Sequence, residues 1–164
     1  MYIKKILFAV FCLTATIGAY AQTSDAEAEA IVNLLGVQKK EAIAKLVSVS
    51  GKDSVAFWKL YDSYQKENKT VALSRLTLYE KTAAAYSRMT PAIADSLAIK
   101  YFQNRITQEQ NLEVYYKKIK LATNAIVAFE FYQAEVYMLT QMRASIMQQI
   151  PTYGQLKGQL KNEE

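Results

Sequence analysis

Tyr86-Ser87-Arg88-Met89-Thr90-Pro91-Ala92-Ile93-Ala94 is the stretch on which the fold turns. It holds the only Pro between Lys52 and Ile150, and that interval contains no Gly. Gly costs about 1 and Pro about 3 kcal/mol in a helix interior, and both punctuate loops. A Thr followed by Pro reads as a stop and restart. The Thr hydroxyl accepts from an orphan N–H of the new helix, and Pro lacks a donor that the first turn does not need. The expected result is a hairpin of two long helices, 52–89 and 91–122.

Outward from that break the signals are weaker. Upstream, Val47-Ser48-Val49-Ser50-Gly51 interrupts the helical pattern, with Ser50 as a candidate cap and Asp53 three residues on. Ser24-Asp25-Ala26-Glu27 has the form of a capping box and opens a helix over 25–47, which Gly36 is expected to divide. Downstream, Thr123-Asn124 marks a boundary before a helix over 125–149 that stops ahead of Pro151. No strand-type alternation occurs. The expected fold class is all-α, a long antiparallel helical hairpin or bundle of about four helices. One helical domain over 22–151 is expected, followed by a polar tail over 152–164.

The apolar stripes follow helical spacing. The first helix offers Ile31, Leu34, Leu35, Ile43 and Leu46. The second offers Phe57, Trp58, Tyr61, Tyr64, Leu76, Tyr79, Ala83 and Tyr86. The third offers Leu97, Tyr101, Phe102, Ile106, Leu112, Tyr116 and Ile119, with a gap at Thr107-Gln108-Glu109-Gln110-Asn111. Either a polar layer or an exposed stretch of the hairpin would account for that gap. Between Leu121 and Gln141 the last helix carries only Glu130 and Glu135, and Ala125-Ile126-Val127-Ala128-Phe129-Glu130-Phe131-Tyr132 is apolar on more than one face. Such a helix needs cover on several sides, from the bundle, a second subunit or a client.

The chain has 164 residues, with 20 Lys+Arg, 15 Asp+Glu, no His and one Cys. That Cys, Cys12, falls in a segment with the form of a secretion signal: basic Lys4-Lys5, an apolar run from Ile6 to Ile17, and Ala19-Tyr20-Ala21 before Gln22. The run is short of the roughly 20 residues a bilayer core requires. Cleavage after Ala21 and a periplasmic location are expected, without stable membrane insertion. The remaining chain has neither Cys nor His. It therefore lacks disulfides, a Cys nucleophile, a Cys zinc site, the commonest general base and the commonest nitrogen ligand. Ser63-Tyr64-Gln65-Lys66 fits Ser-x-x-Lys but has no companion motifs. Glu109 and Glu113, four apart, are read as a solvated helix face rather than a cation site. No catalytic residue, cofactor or metal is expected.

What chemistry remains is at the surface. Arg75, Lys81, Arg88, Lys100, Arg105, Lys117, Lys118 and Lys120 outnumber the acids between 71 and 120 and straddle the hairpin. Such a face attracts acidic chains or anionic lipid, while its modest excess argues against nucleic acid. Tyr is abundant, and Met138, Met142 and Met147 lie on the last helix. Tyr combines a large apolar body with a polar tip, and Met re-packs around varied partners. The expected contact set is Tyr101, Phe102, Phe129, Phe131, Tyr132, Met138 and Met142 for affinity, with Arg75, Arg88 and Arg105 for encounter.

Several of these segments resemble a known pattern. Val49-Ser50-Gly51-Lys52-Asp53-Ser54 with Phe57-Trp58-Lys59-Leu60-Tyr61 is similar to the helix entry of Spy/CpxP-like periplasmic proteins, in which a Leu-Thr-x-x-Gln-type segment caps a helix. Met89-Thr90-Pro91-Ala92-Ile93-Ala94 is similar to the second such cap. Phe131-Tyr132-Gln133-Ala134-Glu135 and Ile150-Pro151 resemble the last helix and its end. Asp53 and Ile93 stand where Gln is usual, and the His of the zinc-linked relatives is absent. The resemblance implies a long-helix hairpin that pairs into a cradle-shaped homodimer. It also implies a non-enzymatic chaperone for unfolded or stress-exposed envelope proteins, or a regulatory partner of an envelope-stress sensor or extracytoplasmic-function sigma-factor pathway. A structural homodimer without clients is the third expectation.

Overall fold

The computed structural model describes residues 25–147. Its elements are α1 (Asp25–Leu46), α2 (Gly51–Ala85), a 3-10 turn (Tyr86–Arg88), α3 (Pro91–Ala122) and α4 (Ala125–Met147). No strand occurs among the described residues. The expected secretion signal, Ser24 of the first capping box, and residues 148–164 with the expected tail lie outside them.

The expected hairpin is present. α2 and α3 are 35 and 32 residues long, about 50 Å each at 1.5 Å per residue. Ile93 N donates to Thr90 Oγ1 at 3.3 Å, and Pro91 sits in the first turn. The last turn of α2 tightens to 3-10 form before Met89 leaves it in extended conformation. Asn104 Nδ2 donates to the Val71 carbonyl (2.9 Å) and Asn111 Nδ2 to Asn68 Oδ1 (3.3 Å), so the two helices run antiparallel. α4 returns along α3, where Arg143 Nη2 donates to Gln108 Oε1 at 2.7 Å. Its start is well capped: Ile126 N and Val127 N both donate to Asn124 Oδ1, at 2.9 and 3.1 Å. α1 closes the bundle against α2 and α4. Gln65 Nε2 donates to the Gly36 carbonyl (3.0 Å) and Ser48 N to Glu130 Oε2 (2.7 Å).

Two entry signals act differently from the sequence expectation. Ser50 occupies the cap position of α2, but its side chain makes no cap hydrogen bond. The turn is made instead by Gly51, at φ +59°, a left-handed conformation that only Gly adopts without penalty. Gly36 does not divide α1, which is continuous through it.

The core lies at the end of the bundle where the α1–α2 and α3–α4 connections meet. Phe57, Tyr61, Tyr64, Tyr115 and Phe131 are all buried there, with Ile43, Leu112 and Ile119 around them. Phe131 is the hub. Its ring meets those of Phe57, Tyr61 and Tyr64 edge-on, at 6.3, 6.2 and 5.3 Å between centroids. Tyr115 meets Tyr64 at 5.4 Å. Edge-to-face pairs add about 0.5–1.5 kcal/mol each beyond the area they bury. Trp58, half-buried, stands edge-on to Phe57 and Tyr61 at 4.9 and 5.6 Å, with Lys40 Nζ 5.6 Å from its centroid.

The stripes need correction in three places. Among the α1 side chains described, Lys39 and Ile43 are buried and Leu46 is exposed, with Val47 buried just past the helix end; the expected Ile31 and Leu34 lie outside the described side chains. On α2, Asn68, Val71 and Leu78 join the buried face. On α3 the buried face runs through Asn104, Gln108, Leu112, Tyr115 and Ile119, which turns Phe102 and Ile106 outward.

Candidate functional site

Two polar clusters interrupt the packing, and exposed apolar residues lie outside it. The first cluster is centred on Glu135, whose side chain is 0% exposed. Its Oε2 receives Lys39 Nζ at 3.0 Å and Tyr64 Oη at 2.8 Å, and its Oε1 receives Tyr61 Oη at 3.1 Å. The Lys39 ammonium also lies 5.2 Å from the Tyr64 ring centroid. One carboxylate from α4, one ammonium from α1 and two phenols from α2 thus satisfy each other away from water. Burial pushes the Tyr61 and Tyr64 phenols well above the ordinary tyrosine range, and the Glu135 charge adds to the effect. Either phenolate would form in a dry site beside a carboxylate. No proton acceptor is left open to a substrate here, and the cluster reads as structural.

The second cluster explains the gap in the α3 stripe as a polar layer. Gln108 and Asn104 are buried. Arg75 Nε donates to Asn104 Oδ1 at 3.1 Å, and its Nη2 donates to Gln108 Oε1. Arg143 shares that Gln108 oxygen and reaches Glu109 Oε1 at 4.0 Å. Burial, and then the neighbouring Arg143, lower the Arg75 pKa from its usual value. A little further along, Tyr115 Oη donates to Glu67 Oε1 at 2.6 Å. Burial and that hydrogen bond push the Tyr115 phenol up to about 12.

Exposed apolar residues lie in two places on α3 and α4, one towards the hairpin turn and one towards the α3–α4 connection. Phe102 is 65% and Phe129 55% exposed, and Ile106 and Tyr132 are exposed as well. Phe102, Arg105, Ile106, Glu109, Gln110 and Glu113 line an open groove of about 430 Å³. The Arg143–Glu109 contact places this side of α3 towards α4. Beside the groove, Lys117 holds the Glu113 carboxyl below the usual range through a hydrogen bond and its charge.

These positions sort the residues expected from sequence. Phe102, Arg105, Phe129 and Tyr132 are on the outside, as contact residues must be, and so is Arg88 at the hairpin turn. Phe131 is not: it is the centre of the core, because the aromatic rings of α2 take its face of α4. Arg75 faces inward to the polar layer, so it holds the hairpin together rather than meeting a partner. Tyr101 is half-buried between the hairpin strokes, with its ring 5.8 Å from Tyr79 and its hydroxyl 2.8 Å from Thr82 Oγ1. Met138 packs against the core, and Met142 is half-buried. The last helix is only partly covered by the bundle: Val127, Ala128, Ala134 and Leu139 are buried, while Ile126, Phe129, Tyr132 and Tyr137 remain exposed.

Sequence reasoning passed over Lys39, Glu135, Asn104 and Gln108 as functional positions. A signal existed for Glu135, one of only two charges between Leu121 and Gln141. Nothing local to Lys39 sets it apart from Lys40 or Lys45. Among the described residues there is no group of three or more Cys, Asp or Glu that could hold a metal, and no helix is long and apolar enough to cross a membrane. Compared with protein-family models, curated proteins and solved structures, the chain matches none.

Proposed function

We propose that this chain is a non-enzymatic protein-binding module of chaperone type, exported to the periplasm, which holds unfolded or stress-exposed clients on exposed apolar residues of α3 and α4. The observation that carries this reading is the exposure of Phe102, Ile106, Phe129 and Tyr132 on two helices whose other faces are packed. Isolated exposed apolar residues are ordinary, but two pairs of large apolar side chains, Phe102 with Ile106 and Phe129 with Tyr132, support an extended client contacting both places. Arg105 beside the groove supplies charge for encounter with acidic chains. The secretion-type leader and the likeness to Spy/CpxP-like sequences support the location and the class. A dedicated regulator of an envelope-stress pathway would use the same exposed residues.

Aggregation of a reduced or unfolded client tests the proposal. The protein should slow aggregation at near-stoichiometric amounts, and Phe102→Glu with Phe129→Glu should abolish the effect while leaving helix content intact. No protection over a wide concentration range would end the chaperone reading. Cross-linking in cells separates the alternatives: a spread of captured proteins means a holder, a single envelope partner means a regulator, and capture of a second copy alone means a structural homodimer.

A further inference from the structure

The three most exposed large apolar residues of the described chain lie at one end of the bundle. Leu121 is 87%, Val55 76% and Ile126 72% exposed. Leu121 is in the last turn of α3, Ile126 in the first turn of α4 and Val55 in the second turn of α2. Leu46, exposed at the end of α1, completes the set. The Ser48–Glu130 hydrogen bond ties the α1–α2 connection to the start of α4, so all four helix ends share this level.

The same end carries Lys45, Lys52, Lys59, Lys117, Lys118 and Lys120, all exposed. Its acids are fewer and mostly engaged: Asp53 in the first turn of α2, Glu41 on α1, Asp62 paired with Lys40, Glu113 paired with Lys117, and Glu130 engaged by Ser48 N. Every cation here is Lys. The arginines of the chain, Arg75, Arg88, Arg105 and Arg143, all lie towards the other end. Arg offers a rigid fork for shaped, bidentate recognition, whereas Lys is a flexible point charge whose aliphatic stem lies along apolar surface.

We infer that this lysine crown docks the protein on an anionic lipid surface, with Leu46, Val55, Leu121 and Ile126 entering the headgroup boundary. The four apolar side chains stand on four helices, so they present separate stubs rather than one shaped patch. A folded partner needs a complementary surface, but a bilayer boundary has no fixed shape and accepts separate stubs. Lysines near an anionic leaflet add attraction that falls with salt, and the apolar stubs add burial that does not. The docking is peripheral, and it leaves the Phe102 groove, two thirds of the way down α3 from Leu121, open to solvent.

The test uses the protein as the cell accumulates it, sedimented with vesicles of phosphatidylcholine alone or mixed with phosphatidylglycerol. Partition should be at least about tenfold stronger on the mixed vesicles and should fall several-fold when salt shortens the Debye length from about 14 to about 6 Å. Leu121→Glu with Ile126→Glu should remove most of that binding, with helix content by circular dichroism unchanged. Phe102→Glu should leave lipid binding intact. Equal partition to both vesicles, or full binding by the double variant, would overturn the assignment. So would retention of polyglutamate without vesicle binding, which would assign the crown to acidic protein.

Discussion

The two halves of the α2–α3 hairpin differ in how much polar structure they bury. Towards Gly51 and Ala122 the helices enclose interlocked rings, and the charged groups among them, Lys39 and Glu135, are sealed and mutually satisfied. Towards Pro91 the inward positions mix Val71, Leu78 and Tyr79 with Asn68, Asn104 and Gln108, and Arg75 and Arg143 converge on one glutamine oxygen. Dry aromatic packing resists local opening, because unsatisfied groups and lost ring contacts both oppose it. A layer of half-buried guanidiniums can exchange protein partners for water at modest cost. The molecule thus has a rigid end and a looser arm, and the groove beside Phe102 lies on the arm.

Substitutions should separate these halves. Glu135→Ala strands the Lys39 ammonium and two phenols inside the core, and the expected loss in urea unfolding is about 3–5 kcal/mol. A loss below about 1 kcal/mol would mean that the rings alone hold this end. Alkali attacks the same end more gradually. Tyr61, Tyr64 and Tyr115 all have phenol pKa values raised on folding, so the folded chain keeps protons that the unfolded chain gives up. Their contribution is intact below pH about 10 and is lost as pH rises beyond it. The unfolding midpoint should fall above that pH, and Tyr115→Phe should flatten the fall. Gln108→Leu in the arm should cost less, about 1–3 kcal/mol, since both arginines retain access to water. Amide exchange should quicken around Arg75 and Asn104 before it does around Tyr61. Smallest is Thr90→Ala at the hairpin turn, about 1 kcal/mol, read from the same unfolding curves.

The architecture was legible because its signals are local. Thr90-Pro91 announces itself, and a long interval without Gly leaves little but helix. Asn124 caps α4 as Thr90 caps α3, although without a following Pro its boundary is the fainter one in sequence. The candidate site was legible only in part. Phe102 and Phe129 look the same as Phe131 in sequence, and only packing shows that the α2 rings claim the last. Apolar spacing alone draws the α3 stripe through Phe102 and Ile106. The true inward face instead passes through Asn104 and Gln108, where a polar layer replaces apolar contact. Lys39 meets Glu135 across 96 positions, and no spacing rule reaches that far.

Trp58 gives the bundle a built-in gauge. It is the only tryptophan in the chain, and it sits at the seam where α1 meets α2, edge-on to two core rings and beneath the Lys40 ammonium. Its emission therefore reports whether α1 is seated, without a label and without perturbing the exposed apolar residues. Departure of α1 would remove Lys40 from the indole and admit water, shifting the emission to the red. The α2–α3 arm carries no indole at all, so it would open unseen by this signal. Fluorescence and amide exchange, followed on one sample, would place the two ends on separate clocks.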